Sequence, residues 1–198
     1  WPPQGALFVW VEEAWSPMTG VDCRASKGTN VVPIPMTDEE CRLATEALSD
    51  QIDLYANLLV KKGAALRTGQ ELVLQSPVGC ADFVRRVTRA AYRSGAGHVT
   101  VIWHDDVVSR LTYENCELSV FEHTPSWQVE QLNSLAERGA SFLFLEGQDP
   151  LAFKGVDPAK PAAAAKARNT ECRSFRDGMD FGRNVWCIAG VPVQAWAQ

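Results

Sequence analysis

The sequence lacks the charge and hydropathy patterns of nucleic-acid-binding and membrane-spanning proteins. Its 198 residues carry a formal net charge of -5, and Lys and Arg are scattered, so no basic patch can meet a phosphate backbone. No apolar run approaches the roughly 18 to 20 residues that cross a bilayer. Residues 1–20 also lack the basic start and apolar centre of a signal peptide. We therefore expect a cytoplasmic protein with no nucleic-acid or membrane partner.

Metal-binding and redox motifs are also missing. Six cysteines lie far apart and form no C-x-x-C pair, and the chain contains three histidines, His98, His104 and His123. Cys partitions to protein interiors, so we expect mostly buried free thiols. The spacing alone does not decide between thiols and disulfides, and it favours no zinc site.

Three motifs of nucleotide binding and nucleophilic catalysis are absent as well. The chain contains no G-x-G-x-x-G, no G-x-x-x-x-G-K-[ST] and no G-x-S-x-G. These absences remove the support for a nucleotide cofactor and for a serine hydrolase.

The sequence pattern changes at Thr37. Residues 1–36 mix the strand-like stretch "GALFVWVEEAW" with Gly, Ser and Pro, which predicts an accessory arm of hairpin or irregular structure. The stretch "TDEE" (37–40) is a capping box, and apolar residues then recur at helical spacing until Gly63. We predict an α/β domain over 37–190 and the start of a connector over 191–198.

Within 37–190, short apolar runs alternate with helix-length amphipathic segments. The predicted strands are 71–76, 98–103, 140–147 and 184–190. The predicted helices after the first are 80–94, 105–122, 126–138 (with Ser126 as its cap) and 157–177. Strict alternation implies βαβ crossovers and a mainly parallel sheet covered on both faces. The predicted fold class is therefore α/β, a three-layer αβα sandwich.

Polar residues stand at the ends of two of these strands: His104, Asp105 and Asp106 at the second, and Glu146 and Asp149 at the third. Open α/β sheets place ligands at the carboxyl ends of their strands, so the five form a candidate cavity rim. Neighbouring strand residues point to opposite faces, which disfavours a metal ion shared by the first two. A carboxylate here also suits the cap of the next helix. Both interpretations stay open, and we assign no catalytic or metal-ligating residue.

A series of phrases resembles the N-terminal domain of the aminopeptidase T and aminopeptidase S family of dimeric metallopeptidases. The phrases are "YANLLVKKGAALRTGQELVLQSPV" (55–78), "AAYRSGAGHVTVIWHDD" (90–106), "TPSWQVEQLNSLAERGASFLFLEGQDP" (124–150), "FKGVDPAKPAAAAKAR" (153–168) and "VPVQAWAQ" (191–198). Their order and spacing carry the resemblance together, and no single phrase suffices. The arm before the "YANLLV" helix departs from the family pattern.

The resemblance implies an enzyme that removes N-terminal residues from peptides with two divalent metal ions (zinc, cobalt or magnesium). In that family the metal ligands lie in a C-terminal domain after the "AWA" connector. This chain is therefore expected to hold no cofactor itself and to be inactive alone. Its expected partners are its own C-terminal catalytic domain, a second copy in a homodimer, and peptide substrates. Its expected task is to wall the active-site cavity and help form the dimer.

The rival hypothesis is a stand-alone α/β module that binds a small ligand at the strand-end rim. A third hypothesis, an independent hydrolase using His104 and Asp105, lacks an obvious nucleophile.

Overall fold

A computed structural model describes residues 38–147 and 149–191, with side chains described at Glu46 and from Leu48 onward. The predicted arm (1–36), the Thr37 cap and the connector after Val191 lie outside the described residues. No described helix is both long enough and apolar enough to cross a bilayer.

Helices and strands alternate along the described chain, as the sequence predicts. The helices are α1 (Asp38–Leu58), α2 (Ala81–Arg93), α3 (Asp106–Asn115), α4 (Ser126–Glu137), α5 (Ala159–Glu171) and α6 (Arg173–Asp180). The strands are β1 (Glu71–Pro77), β2 (His98–His104), β3 (Ser141–Glu146) and β4 (Trp186–Gly190). A π-helical turn, Leu59–Gly63, extends α1, and 3-10 turns occupy Val78–Cys80 and Leu118–Phe121.

The four strands form one parallel sheet in the order β2-β1-β3-β4. Leu74 of β1 is in register with Val101 of β2 on one side and with Leu143 of β3 on the other. The chain thus leaves β1 toward one edge and returns to its other side, which makes the β1–β3 boundary a topological switch point. The predicted three-layer α/β fold is confirmed.

Helices α1 and α2 cover one face of the sheet, here called the α1–α2 face. Period-two alternation turns every second residue of each of the four strands toward these helices. The most buried members of this cluster are Leu59, Val60, Leu72, Leu74, Val87, Ala91, Leu143, Leu145, Cys187 and Ala189. Arg86 of α2 ties the two helices together, since its guanidinium lies 2.7 Å from the Asp53 carboxylate and also donates to Ser49. Tyr55 of α1 donates to the Gly190 carbonyl at 3.1 Å.

Helices α4 and α6 cover the opposite face, called the α4–α6 face. Its buried cluster contains Val73, Leu132, Leu135, Phe142, Cys172 and Phe175. A buried amide completes the packing, because Asn184 Nδ2 donates to the carbonyls of Ala136 (3.0 Å) and Ala140 (2.9 Å). Helix α5 packs on the Leu118–Phe121 turn and on α6.

Two predicted helix ends and one predicted cap were wrong. The predicted helix 105–122 ends at Asn115, because Cys116 is extended (φ -98°, ψ 149°). The predicted helix 157–177 breaks at Cys172 (φ -84°, ψ 52°), which lets α6 turn the buried Phe175 onto the sheet. Ser126 is the first residue of α4 and not its side-chain cap.

Candidate functional site

A cavity of about 610 Å³ lies at the carboxyl end of the sheet, on the α4–α6 face. The ends of β1 and β3 form its base, α3 and the loop before α5 form one side, and α5 with α6 forms the other. Its lining includes Gln75, His104, Asp106, Ser109, Tyr113, Phe144, Glu146, Phe153, Arg168, Asn169, Phe175 and Met179. The cavity therefore opens at the switch point of the sheet, where α/β folds place ligands.

Strand alternation explains which polar side chains reach this cavity. Gln75 is in register with Phe144, and Glu146 follows Phe144 by two residues, so all three share one face. His104 is in register with Pro77, two residues beyond Gln75 on the same face. The residues between them point toward α1 and α2, as the fully buried Leu74 does.

The structure brings three of the five predicted rim residues together and separates the other two. His104, Asp106 and Glu146 line the cavity. Asp105 lines a second depression of about 410 Å³ beside Trp103, which shares His104 and Ser109 with the cavity. Asp149 lies outside both linings, in the loop before α5.

Asp105 caps helix α3. Its backbone is extended (φ -137°, ψ 125°), and its Oδ1 accepts from the N–H groups of Val107 (2.8 Å) and Val108 (3.0 Å). These donors have no partner within the helix, and the carboxylate also meets the positive end of the helix dipole. The capping interpretation of the sequence is confirmed at this residue.

Asp106 and Asp149 hold the loop that forms the side of the cavity. Asp106 Oδ2 accepts from the Asp149 N–H at 3.3 Å, and Asp149 Oδ1 accepts from Leu151 N–H at 2.8 Å. Arg110 of α3 donates to the Ala152 carbonyl at 2.7 Å. The loop is thus tied to α3 from two positions.

Arg168 was not identified from the sequence, although it supplies the cavity's guanidinium. Its Nη2 donates to Gln75 Oε1 at 3.3 Å, and its Cζ lies 5.7 Å from the centre of the Phe175 ring. No described carboxylate forms an ion pair with it. It occupies the last turn of an Ala-rich helix, where a basic residue is expected for the helix dipole alone, so no sequence signal marked it.

The described residues do not form a metal centre. Across residues 38–147 and 149–191, no group of three or more His, Cys, Asp or Glu side chains is arranged to hold an ion. In the cavity, one oxygen of Asp106 already accepts from a backbone N–H.

Buried titratable groups away from the cavity favour their neutral forms. Burial raises the pKa of Tyr55 to about 12, with a further contribution from Cys187. Burial likewise raises the pKa values of the Cys80 and Cys172 thiols, which makes their reactive thiolates scarce. Cys80, Cys116, Cys172 and Cys187 are free thiols, as expected. These groups are suited to packing and not to nucleophilic chemistry.

Comparison with known proteins connects this domain to peptidases. Residues 48–198 match the family described as thermophilic metalloprotease (M29). The chain is 33% identical to aminopeptidase 2 of Geobacillus stearothermophilus, over 75% of this chain and 36% of that protein. It is 32% identical to aminopeptidase AmpS of Bacillus subtilis, over 77% of this chain and 37% of that protein.

A solved structure agrees with these relatives. Wild-type AmpT from Thermus thermophilus superposes with a TM-score of 0.69 at 28% identity, over 76% of this chain and 38% of that chain. The chain therefore spans little more than a third of the length of the relatives it matches.

Proposed function

The chain belongs to the M29 family of thermophilic metalloproteases, and from this premise we propose that it is the non-catalytic N-terminal domain of a metal-dependent aminopeptidase. The whole protein would remove N-terminal residues from peptides in the cytoplasm. In this proposal, residues 37–190 form the domain, and 191–198 begin the connector to the catalytic domain.

One observation carries the non-catalytic assignment. The matched relatives bear the name aminopeptidase, yet the described residues of this chain contain no arrangement of three metal-binding side chains. A two-metal hydrolase needs several carboxylates and imidazoles converging on ions about 3.5 to 4 Å apart. The metal pair, whether zinc, cobalt or magnesium, would therefore be held by residues other than those described.

The sheet-edge cavity supports a role in substrate access. We assign His104, Asp106 and Glu146 to the wall of the substrate cavity, because the cavity they line opens at the carboxyl ends of the strands. Asp105 and Asp149 would act indirectly, through the cap of α3 and the loop before α5. The domain would also help form a homodimer, which would restrict access to short peptides and free N-termini.

Two assays of amino-acid anilide hydrolysis test the proposal. The chain alone should show no turnover with added zinc, cobalt or magnesium. A chimera should remain active when residues 48–198 replace the matching segment of Geobacillus stearothermophilus aminopeptidase 2. Turnover by the isolated chain that EDTA abolishes and cobalt restores would contradict the non-catalytic assignment. A folded but inactive chimera would favour the stand-alone binding module.

A further inference from the structure

The sheet-edge cavity holds charges of both signs on different walls. Arg168 lies on the α5 wall, Glu146 at the end of β3, and Asp106 at the start of α3. Asp106 is engaged with the Asp149 N–H, whereas no described residue donates a hydrogen bond to the Glu146 carboxylate. The cavity thus offers a cation on one wall and a carboxylate acceptor on another.

Arg168 is held in place with most of its hydrogen-bonding capacity unused. The face of Phe175 and the Gln75 amide position the guanidinium. A guanidinium has five N–H donors, and the described residues accept from it once, at Gln75. Its planar fork matches a carboxylate bidentately, which makes a carboxylate the preferred anion for the remaining donors.

The size and lining of the cavity limit the ligand further. A volume of about 610 Å³ falls within the range of roughly 300 to 1,000 Å³ that is typical of small-molecule sites. Phe144, Phe153 and Met179 add apolar surface to the lining, which suits an apolar side chain on the ligand.

We infer that this cavity binds a small zwitterion with one ammonium group and one carboxylate, either a free amino acid or a short peptide. Arg168 takes the carboxylate, Glu146 takes the ammonium group, and the aromatic lining takes the side chain. An aminopeptidase releases the first ligand and acts on the second, so the choice of ligand rests on the proposed function. The anion site at Arg168 rests on geometry alone.

Calorimetric titration of the 198-residue chain tests this site with four probes. L-Leucine and leucyl-leucine carry both charges, and leucinamide and leucyl-leucinamide are the matching analogues without the carboxylate. We expect saturable binding of at least one of the first two, weakened about tenfold or more in the matching analogue without a carboxylate, because hydrogen bonds between charged groups are lost. Stronger binding of leucine would indicate a product site, and stronger binding of the dipeptide a substrate site.

Two arginines supply a matched pair of variants. Arg168→Gln should weaken binding about tenfold or more, whereas Arg93→Gln, at an exposed arginine in the last turn of α2, should leave it unchanged. Arg168→Lys retains the charge without the fork and should give an intermediate loss. If Arg168→Gln does not fold, the amide analogue on the wild-type chain still decides the point.

The inference is overturned if neither zwitterion binds the folded chain in the millimolar range, or if a zwitterion that binds is bound no more tightly than its amide analogue. Binding that Arg168→Gln leaves unchanged also overturns it. The chimera assay is independent of these titrations. An inactive chimera with leucine bound would remove the aminopeptidase proposal and leave the anion site standing.

Discussion

The two faces of the sheet are closed in different ways. On the α1–α2 face, Leu72, Leu74 and Leu145 are at most 1% exposed, so aliphatic packing reaches the carboxyl end of the strands. On the α4–α6 face, Phe142 is buried, whereas Phe144 and Glu146 are partly exposed because the cavity begins there. One strand, β3, therefore contributes to a closed core with one set of side chains and to an open cavity with the other.

On β3, the side chains that stabilise the fold and the side chains that can contact a ligand therefore lie on opposite faces of the same strand. Helix α2 and the Leu59–Gly63 turn that extends α1 lie directly on the sheet, and the residues of β1, β3 and β4 beneath them are buried. Helix α5 packs mainly on its helical neighbours and borders the cavity instead. Substitutions on the α1–α2 face should therefore act on folding, and substitutions at the carboxyl end of the α4–α6 face should act mainly on the cavity.

The largest expected effect is at Leu74. Leu74→Ala leaves an enclosed void in the α1–α2 face and should cost about 2–5 kcal/mol of unfolding free energy. Phe144→Ala should cost less than Leu74→Ala although it removes more atoms, because its side chain already borders the cavity. Urea unfolding followed by circular dichroism measures both. An equal or larger loss at Phe144 would break the comparison between the faces.

The next effect tests the buried amide of the α4–α6 face. Asn184→Ala removes the side-chain donor to the carbonyls of Ala136 and Ala140, of which Ala136 keeps the Gly139 N–H, and should cost about 1–3 kcal/mol. Gly178→Ala should act through the same amide, because an added Cβ would overlap Asn184 Oδ1. The double variant should then lose less than the sum of the two single losses. Additive losses in denaturant titrations would show that the two positions act separately.

A smaller effect is expected at Asp105, the N-cap of helix α3. Asp105→Ala should cost about 1 kcal/mol, because Val107 and Val108 lose the acceptor for their N–H groups. Asp105→Asn should be milder, since Asn also caps and only a charge–dipole contribution of about 0.3 to 1 kcal/mol is at risk. Unfolding free energies equal to wild type for both variants would contradict the capping role.

The smallest effect is a pH dependence at the junction of α5 and α6. Hydrogen bonds from His123 and from the Thr124 N–H lower the pKa of Glu171. A carboxyl group with a lowered folded pKa contributes stability above its unfolded pKa of about 4.3, and this is lost as pH falls through the folded value. The stability difference between wild type and Glu171→Gln should therefore be present at neutral pH and shrink in acid. A difference that grows below about pH 4 in pH-dependent melts would reverse the assigned sign.

Sequence reasoning succeeded where local patterns and tertiary packing agree. Helix α2 was predicted as 80–94 and runs over Ala81–Arg93, because its apolar spacing matches the sheet face that it covers. The parallel strands were identifiable for the same reason: each is a short apolar run between helices. A carboxylate cap after the second strand is one of the two interpretations that the sequence offers, and Asp105 fulfils it, because the chemistry of a cap is local.

Errors arose where distant segments decide the outcome. The entry to α4 was assigned to a Ser126 cap, yet the Thr124 N–H is held by Glu171, at the far end of α5. The helix predicted over 157–177 breaks at Cys172, where burial against the sheet outweighs helical continuity. Neither contact has a local sequence signature, because the partners lie far apart along the chain.

The sequence by itself determined the α/β class, the alternation of strands and helices, the family resemblance and the polar strand ends, since each follows from local periodicity or residue order. Tertiary structure alone decided which polar residues meet. The strand order places β1 beside β3, and strand alternation then turns Gln75 and Glu146 to the same face. Arg168 joins them only because α5 packs beside the open end of that face. The helical spacing of an Ala-rich segment does not indicate that Arg168 will contact Gln75 of a distant strand.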